Sequence, residues 1–379
     1  MSRSICIVHG GDISEPSGGT NRITAFAKAL SDNGFDIHLV IPRPKNEFSE
    51  DLQDIQIHTV PIKVRGIANQ FSRGLLISIN AKKIAKKYEA ILQIEHSTLA
   101  GFATLIGCSD FVLDMHDLSI DDPQYTKLPF SKIVLKFIYE MERRAVKYAS
   151  NIIVVSNPMK DFIIKEWNVP KQKIEVIPNG YYKSAFKLND VENTDSISFL
   201  GTLHAKVDIK KIVYLAKSLK RTKIYIIGDG MALQKLVEKI KEDNIKNIVF
   251  KGQLPYNEAL KFIMKSKVVI APYLPYKSSE VSSPVKLFDY AALGKAIVAD
   301  NIAEICSLLK ENNAALISDP LNPKEFIENV HVLLNNEKLR KKISKNAKTF
   351  IKKYTWKNQG KKLVELYKNE ICACARAQL

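Results

Sequence analysis

The residues that best suggest chemistry surround the start of one predicted helix. Ser282-Ser283-Pro284 is typical of a helix N-terminus, where open amide groups can bind an anion. Lys286 and Asp289 follow, and their spacing places them on one face of that helix. The lysine can then meet a phosphate while the carboxylate accepts hydrogen bonds from ribose hydroxyls. The alternative that this spacing leaves open is an ordinary intrahelical ion pair.

Glycines follow several predicted strands, where backbone can approach a ligand closely. In the first half, Gly18-Gly19-Thr20 precedes a helix predicted over Ile23–Ser31, an arrangement suited to a phosphate or a leaving-group oxygen. In the second half, Gly201-Thr202 and Gly228-Asp229-Gly230 end two strands. Lys206 offers a mobile positive charge for a diphosphate. The alternatives are tight turns for the glycines and a solvated helix face for the lysine.

His116 follows the predicted strand Phe111–Met115. Its imidazole therefore reaches the edge of the sheet at which α/β proteins bind ligands, and it can hydrogen-bond a substrate hydroxyl there. The alternative is a structural histidine bonded to the loop backbone. Its position directly after a strand favours the functional interpretation.

Short apolar runs recur along the chain and are separated by longer stretches with helical spacing, a pattern typical of βαβ units and a mostly parallel sheet. In the first half the predicted strands are Ser4–His9, Asp36–Ile41, Ile91–Glu95, Phe111–Met115, Asn151–Val155 and Ile174–Ile177. In the second half they are Ser196–Leu200, Lys223–Ile227, Asn247–Phe250, Lys267–Ala271, Ala296–Ala299 and Ala314–Ile317. The polar segment Tyr181–Thr194 separates the two sets. The pattern predicts two doubly wound domains with a cleft between them and ligands at the carboxyl ends of the strands.

The composition is that of a folded globular protein with more than one domain. The 379 residues are 46% hydrophobic and 26% charged, which excludes a small module and a disordered or fibrous chain. The net charge of +17 predicts an anionic partner such as a nucleic acid, an anionic lipid or a phosphorylated substrate. Five scattered cysteines favour a reducing compartment over a disulfide framework. Because no apolar run reaches the roughly 18 residues that a membrane span requires, a cytoplasmic protein is expected.

Together these segments resemble the GT-B glycosyltransferases of the large retaining family that uses nucleotide-sugar donors, often called family 4. The resemblance covers nearly the whole chain and rests on Ser17-Gly18-Gly19-Thr20, His116, Ile177-Pro178-Asn179-Gly180, Gly228-Asp229-Gly230 and residues 283–290, which resemble the donor-loop variant Ser-Pro-x-Lys-x-x-Glu-Tyr with Asp289 in place of the glutamate. It implies an α/β GT-B fold with two doubly wound Rossmann-like domains. The expected boundaries are an acceptor-side domain over residues 1–183, a nucleotide-sugar-binding domain over 184–355, and a C-terminal helix and tail over 356–379 that packs back towards the N-terminal domain.

The resemblance also implies roles for individual residues. Asp289 would hold the ribose, the amides of Ser282 and Ser283 would hold the diphosphate with Lys286, and His116 would bond the transferred sugar. Gly18 and Gly19 would lie close to the phosphate and the acceptor. The expected set comprises the catalytic residues His116, Lys206, Lys286 and Glu280 and the donor-binding residues Gly18, Gly19, Thr20, Gly201, Thr202, Gly230, Ser282, Ser283 and Asp289.

The chain departs from the family pattern at several of these positions. Thr202 stands where arginine is usual, and the following lysine is offset at Lys206. Asp289 replaces the second glutamate of the Glu-x7-Glu motif. The first glutamate would fall at Val281, and the nearest acid is Glu280.

The reaction implied by the resemblance transfers a hexosyl group from a UDP- or GDP-sugar to a hydroxyl of a glycan or lipid-linked acceptor, with retention of anomeric configuration. Lysine and helix amides would stabilise the leaving phosphate. Because the sequence shows no cluster with metal-ligand spacing, neither a metal nor a further cofactor is expected. Two other interpretations stay open: a nucleotide-sugar epimerase on the same fold, and a basic nucleic-acid-binding protein. The sequence shows no nucleic-acid recognition module, so nucleic acid is not expected as a partner.

Two basic amphipathic stretches lie in the half that the resemblance assigns to the acceptor. One runs from Arg65 to Lys87 and the other from Lys127 to Phe137. Such stretches could dock a peripheral protein on anionic lipid at the cytoplasmic face of a membrane, where a lipid-linked acceptor would be found. The alternative is that both are solvated helix faces with apolar residues turned to the core.

Overall fold

The computed structural model describes residues 4–14, 18–48, 50–62, 68–126, 130–183 and 194–376. The chain divides into two compact units. The first comprises Met1–Asp121, Tyr125–Asn179 and Trp356–Leu379, and the second comprises Asp122–Gln124 and Gly180–Thr355. Most of the polar segment predicted between the two domains, residues 184–193, lies outside the described residues, as do Ser17, Arg65 and Lys127.

The first unit contains a seven-stranded parallel sheet. Its strands are β1 (Ser4–Val8), β2 (Asp36–Pro42), β3 (Gln56–Val60), β4 (Ile91–Glu95), β5 (Phe111–Met115), β6 (Ala149–Val154) and β7 (Ile174–Val176). Their order in the sheet is β3-β2-β1-β4-β5-β6-β7. The order reverses between β1 and β4, so the carboxyl ends of these two strands flank the switch point at which doubly wound sheets bind ligands.

Helices connect these strands and cover the sheet. They are α1 (Gly18–Ser31), α2 (Ala68–Lys87), α3 (Ser97–Leu105), α4 (Pro123–Thr126), α5 (Ser131–Tyr148) and α6 (Asn157–Trp167). A strand that helices cover on both faces has a continuous apolar run in its sequence. Strand β5 is buried along its whole length. The sequence did not predict β3, because it lies at the sheet edge, mixes polar and apolar residues, and buries only Val60.

The second unit repeats this architecture with a six-stranded parallel sheet. Its strands are β8 (Thr194–Leu200), β9 (Lys223–Ile227), β10 (Ile248–Gly252), β11 (Ser266–Ala271), β12 (Ala296–Asp300) and β13 (Leu316–Ser318), in the order β10-β9-β8-β11-β12-β13. Its helices are α7 (Ile209–Ser218), α8 (Leu233–Glu242), α9 (Tyr256–Lys265), α10 (Lys277–Glu280), α11 (Val285–Ala292), α12 (Glu304–Glu311), α13 (Pro323–Asn335) and α14 (Glu337–Ile351). The switch point of this sheet lies between β8 and β11.

The last helix, α15 (Trp356–Arg376), belongs to the first unit, where it packs against α1. Trp356 meets the ring of Phe26 edge-on at a centroid distance of 6.1 Å. Gly360 faces Ala29 so closely that a Cβ at residue 360 would collide with the alanine side chain. Among the described residues, no helix combines the length and the apolar character that spanning a membrane requires.

Candidate functional site

In the first unit, three histidines lie at the carboxyl ends of neighbouring strands. His9 follows β1, His96 follows β4 and His116 follows β5. The ring centroids of His9 and His96 are 5.4 Å apart, and those of His96 and His116 are 4.9 Å apart. Sequence reasoning singled out His116 alone, although His9 and His96 carry the same signal because each directly follows a strand.

His116 is held by two buried carboxylates. Its Nε2 lies 2.8 Å from Glu95 Oε2 and 3.3 Å from Asp114 Oδ2. Burial alone would lower the pKa of His116, but the two carboxylates outweigh burial and raise the pKa to about 9. His116 is therefore an imidazolium at neutral pH. The sequence left open a structural histidine bonded to the loop backbone, whereas in the structure His116 pairs with Glu95 and Asp114.

Arg22, on α1, anchors this network. Its Nε and Nη2 donate to the two oxygens of Asp114 at 2.9 Å each, and its Nη1 donates to the carbonyl of Ile177 at 2.9 Å. Only 1% of the Arg22 surface is exposed. Burial opposes ionisation of Asp114, yet Arg22 and His116 hold the pKa of that carboxyl well below its usual range. The arginine thus links Asp114 to Ile177, which directly follows β7.

His9 and His96 are neutral neighbours of this charged group. Burial, reinforced by His116, lowers the pKa of His96 to about 3, and burial with His96 and His116 lowers that of His9 well below its usual value. His96 also has a φ of 75°, an uncommon conformation for a residue other than glycine that costs about 1–3 kcal/mol and is concentrated at functional sites.

Glu95, Asp114 and His116 each offer a donor atom within 4.8 Å of the others, a grouping that could hold a metal ion. The sequence-based expectation overlooked this grouping because its members come from two strands. In the structure both oxygens of Asp114 accept hydrogen bonds from Arg22, and the His116 nitrogen faces the carboxylates. The guanidinium already supplies the positive charge that a metal would bring, so this site is better suited to holding His116 than to holding an ion.

The predicted glycine loop of the first unit begins a helix. Gly18 and Gly19 are half-buried in the first turn of α1, and Thr20 is buried. The helix starts five residues before the predicted Ile23 because the glycines themselves adopt helical geometry. Arg22 lies one turn after Gly18, so the loop and the His116 network share the start of one helix.

In the second unit, the loops after β8 and β11 flank the switch point. They are joined by an antiparallel bridge between Val207 and Tyr273 and by a hydrogen bond from the Leu274 amide to the Lys206 carbonyl at 2.8 Å. Gly201 has a φ of 112°, and a Cβ at that residue would lie 3.3 Å from the Lys286 Nζ. Glycine therefore lets the chain leave β8 directly beside the ammonium group of Lys286.

Lys286 is bordered by aromatic rings. Its Nζ lies 3.9 Å from the ring centroid of Phe199 and 5.3 Å from that of Tyr273, both within cation–π range. Among the described residues, no carboxylate lies within 4.0 Å of this ammonium. Burial lowers the pKa of Lys286 to about 7. An anion placed here would find a desolvated cation without a competing charge, which strengthens their attraction.

Asp289 does not pair with Lys286. Its Oδ1 instead accepts a hydrogen bond from the hydroxyl of Tyr256 at 2.6 Å, and the residue is 3% exposed. Burial raises the pKa of Asp289 to about 7, although the Tyr256 bond favours the carboxylate. The intrahelical ion pair that the spacing left open is therefore not formed, and both groups keep capacity for a ligand.

The start of α11 differs from the predicted capping pattern. Pro284 is the N-cap residue, and no side chain caps this helix. Ser282 donates both its amide and its hydroxyl to the Ser279 carbonyl, at 3.1 and 2.7 Å, because the short α10 ends just before it. The Ser282 amide is thus already occupied, while Ser283 directly precedes the cap. Glu280 is exposed at the end of α10.

The other predicted donor-binding residues lie in the loops after β8 and β9. Thr202 is exposed next to Gly201. Gly230 has a φ of 152°, and a Cβ there would lie 2.6 Å from the carbonyl oxygen of Leu203. Gly228 likewise packs on the Gly201 carbonyl. The Gly-Asp-Gly turn therefore stacks on the Gly201 loop, an approach that a side chain at either glycine would prevent.

Lys206 is 9% exposed and does not lie on a solvated helix face. Its Nζ is 3.3 Å from Asp122 Oδ2, and the Nε2 of His204 is 3.9 Å from Asp122 Oδ1. Lys206 therefore differs from Lys286 in having an acidic partner.

Two family profiles match the chain in succession. Glycosyltransferase Family 4 matches residues 16–182, and Glycosyl transferases group 1 matches residues 183–350. The order of the two matches follows the order of the two units in the chain.

Individual relatives agree with these profiles. An uncharacterized glycosyltransferase of Methanocaldococcus jannaschii is 26% identical over 347 residues, which cover 89% of this chain and 91% of that protein. The UDP-Gal:alpha-D-GlcNAc-diphosphoundecaprenol alpha-1,3-galactosyltransferase of Escherichia coli is 25% identical over 85% of this chain and 86% of its own. Among solved structures, sucrose-phosphate synthase from Thermosynechococcus elongatus superposes with a TM-score of 0.82 at 15% identity, covering 98% of this chain and 99% of that one.

Proposed function

The chain belongs to the group 1 glycosyltransferases of family 4 type with the GT-B fold, and we propose that it transfers a hexosyl group from a nucleoside-diphosphate sugar to a hydroxyl of a glycan or lipid-linked acceptor, with retention of anomeric configuration. The observation that carries the donor assignment is the arrangement of Lys286 and Asp289 on α11. One is a buried lysine without a carboxylate partner among the described residues, and the other is a buried carboxyl group that is hydrogen-bonded by Tyr256.

Each group in the second unit suits one part of a nucleoside diphosphate. Lys286 would neutralise the diphosphate, and the charge that develops on the leaving phosphate would be stabilised by an ammonium already stripped of water. Asp289 would accept hydrogen bonds from ribose hydroxyls through the oxygen that Tyr256 leaves open. The phosphates would lie against three residues in the loops after β8 and β9: Gly201, Thr202 and Gly230.

In the first unit, His116 would donate a hydrogen bond to the transferred sugar. An imidazolium cannot accept the proton of the acceptor hydroxyl, so in this proposal His116 binds and orients the sugar and is not a general base. The donor is proposed as a UDP- or GDP-sugar. The galactosyltransferase relative carries UDP-Gal in its name, which supports a uridine nucleotide as the first to test.

A direct test incubates the full chain with UDP- or GDP-hexoses and an extract of lipid-linked and soluble glycans, and detects products by mass. Addition of a hexose to an acceptor supports the transferase. Conversion of the donor sugar to its epimer without an acceptor product would instead favour the epimerase. A thermal-shift series with UDP, GDP and ADP identifies the nucleotide, because a ligand that binds only the folded state raises the melting temperature.

We further propose that the first unit docks on anionic lipid. On α5 and the residue before it, Phe130, Ile133 and Phe137 are exposed by 79%, 69% and 40%. The spacing places these three on one helix face, and the exposed Lys132 and Lys136 lie beside them.

A second helix extends this surface. Phe71, on α2, is 47% exposed, and its ring lies 6.1 Å from that of Phe137. An apolar patch rimmed by lysines is complementary to an anionic bilayer, with each basic residue near the surface contributing about 1 kcal/mol. The structure also corrects part of the predicted α2 stretch, since Ile77 is core and Lys82 donates to the carbonyl of Ile106 at 2.7 Å.

A further inference from the structure

The buried network around His116 extends well beyond its two carboxylates. Glu95 Oε1 accepts a hydrogen bond from Gln93 Nε2 at 2.7 Å, and Gln93 Oε1 accepts one from the Tyr367 hydroxyl at 2.6 Å. Tyr367 lies on α15, so this last helix contributes a donor to β4, two residues before Glu95. All of these groups are buried.

The hydrogen bonds determine which atom of each side chain donates and which accepts. Because Tyr367 takes the Gln93 oxygen, the Gln93 amide nitrogen is turned to Glu95, and one Glu95 oxygen must act as an acceptor. The other Glu95 oxygen lies 2.8 Å from His116 Nε2. Burial and the neighbouring Asp114 raise the pKa of Glu95, whereas the nearby His116 and Arg22 favour the carboxylate.

The charge balance of these buried groups also favours a protonated His116. Arg22 neutralises Asp114 through two hydrogen bonds, which leaves Glu95 as a second buried acid whose ion-pair partner among the described residues is His116. A buried carboxylate without a compensating charge is costly, whereas a protonated His116 makes the group of four neutral. No described residue hydrogen-bonds the other ring nitrogen, Nδ1.

We infer that Glu95, oriented by Gln93 and Tyr367, is a positioning residue that keeps His116 protonated and leaves Nδ1–H for the substrate. This inference rests on the proposed function, in which His116 bonds the transferred sugar. It gives the C-terminal helix a role in the site, because α15 supplies the hydroxyl at the far end of the chain of hydrogen bonds.

The charged and titratable groups that face His116 come from several elements, and each affects the expected pH titration of His116. They are Glu95 and His96 at the end of β4, Asp114 on β5, His9 after β1 and Arg22 on α1, with Arg73 on α2 acting on His9. The two carboxylates favour the imidazolium, while burial and the neighbouring cations oppose it. The pKa of about 9 is consistent with the carboxylates dominating.

The experiment is an NMR pH titration of the full chain labelled with 15N-histidine, in the absence of donor. The His116 signals are assigned by their loss in His116→Gln. We expect imidazolium shifts at both ring nitrogens at pH 7 and a midpoint near 9. In Glu95→Gln, which retains the size of the side chain, the midpoint should fall by at least about one pH unit. Asp114→Asn is avoided because it would leave Arg22 buried without its partner.

Two tyrosine variants test the contribution of α15. Tyr367→Phe should lower the His116 midpoint by less than Glu95→Gln does, because it only frees Gln93 to rotate. Tyr148→Phe, which removes a hydroxyl from an exposed tyrosine at the end of α5, should leave the midpoint unchanged. Equal His116 titration midpoints in wild type and Tyr367→Phe would show that α15 does not contribute to the protonation of His116.

Activity then separates this inference from the proposed function. The alkaline fall of kcat should move to lower pH in Glu95→Gln in step with the NMR midpoint, with little change in nucleotide affinity. A His116 that titrates near its ordinary value of about 6.5 in a protein that transfers sugar overturns the inference and leaves the function intact. The expected titration in a protein that transfers no sugar overturns the proposed function instead.

Discussion

Tyr256 and Asp289 are joined by a 2.6 Å hydrogen bond from the tyrosine hydroxyl to the Oδ1 of a carboxyl group that is almost fully buried. The bond crosses from α9 to α11, and among the described residues Asp289 makes no ion pair with Lys286, its neighbour on the same helix face. The second unit therefore holds an acid and a base close together in sequence without letting them neutralise each other.

The first prediction concerns stability and pH. Asp289 has a pKa of about 7 in the folded protein and an ordinary one of about 3.9 when unfolded, so unfolding releases a proton between these values. Its contribution to stability is therefore greatest below about pH 4 and is lost as the pH rises towards 7. In denaturant titrations, Asp289→Asn should lose less stability than wild type over this range. Identical pH dependence in the two proteins would contradict the assignment, and Asp195→Asn, at an exposed position, is the control.

The second prediction separates phosphate from ribose recognition. Lys286→Ala should weaken UDP binding by roughly tenfold to a hundredfold, the range for a lost charge-assisted hydrogen bond of about 1.5–3 kcal/mol, and should leave uridine binding nearly unchanged. Asp289→Ala should weaken both ligands, because both carry the ribose. Calorimetry measures the four affinities, with the exposed Lys338→Ala as control. Wild-type UDP affinity in Lys286→Ala would refute the phosphate assignment.

The third prediction uses two glycines with positive φ. A Cβ at Gly201 would press on Lys286, whereas one at Gly252 would meet no described atom within 4 Å. Both substitutions strain the backbone, since φ is 112° at Gly201 and 64° at Gly252. Only Gly201→Ala should also weaken UDP binding, and equal loss of affinity in both variants would show that Gly201 acts through the fold alone.

The fourth prediction concerns a buried ion pair that contacts the loop after β11. Lys211 Nζ lies 2.7 Å from Asp300 Oδ1, neither side chain is exposed, and the other Asp300 oxygen accepts from the Tyr273 amide at 2.8 Å. Lys211→Met should destabilise the second unit by about 3–5 kcal/mol, because it leaves a buried carboxylate unpaired. Lys217→Met, on the same helix but at the surface, should change the unfolding midpoint little. Equal midpoints in the two variants would contradict this role.

The fifth prediction tests lipid docking by co-sedimentation. The full chain should pellet with anionic but not neutral vesicles, and high salt should release it. Phe130→Ser/Ile133→Ser and Lys132→Glu/Lys136→Glu should each abolish pelleting. Leu321→Ser, which removes an apolar residue that is 76% exposed in the second unit, should have no effect. Wild-type protein that stays in the supernatant at low salt would turn the search to soluble acceptors.

Much of the architecture could be read from local patterns. The fold class was predicted correctly, and twelve of the thirteen strands described lie within two residues of their predicted bounds at both ends, because a strand buried on both faces needs a continuous apolar run. The exception follows from the same rule. The edge strand Gln56–Val60 buries little and was missed. At the last strand, burial begins at Ala314, two residues before the strand itself starts at Leu316.

The sequence could also single out candidate site residues where they follow a strand or begin a helix, as His116, Gly201 and Lys286 do. It could not identify the residues that contact them in the folded chain. Arg22 meets Asp114 across 92 positions, and Tyr367 meets Gln93 across 274. Sequence spacing carries no information about such pairs, because they depend on which strands are neighbours and on where the last helix returns.

The sequence alone thus determined the order of elements, the positions of the loops and the residue types they carry, since these follow from propensity and apolar periodicity over a few residues. Only the tertiary structure decided the charge of each group. His96 and His116 both follow strands, yet one is neutral and the other an imidazolium. The cause is that charge in a buried site depends on desolvation and on opposite charges within a few ångströms, and folding brings those together from distant parts of the chain.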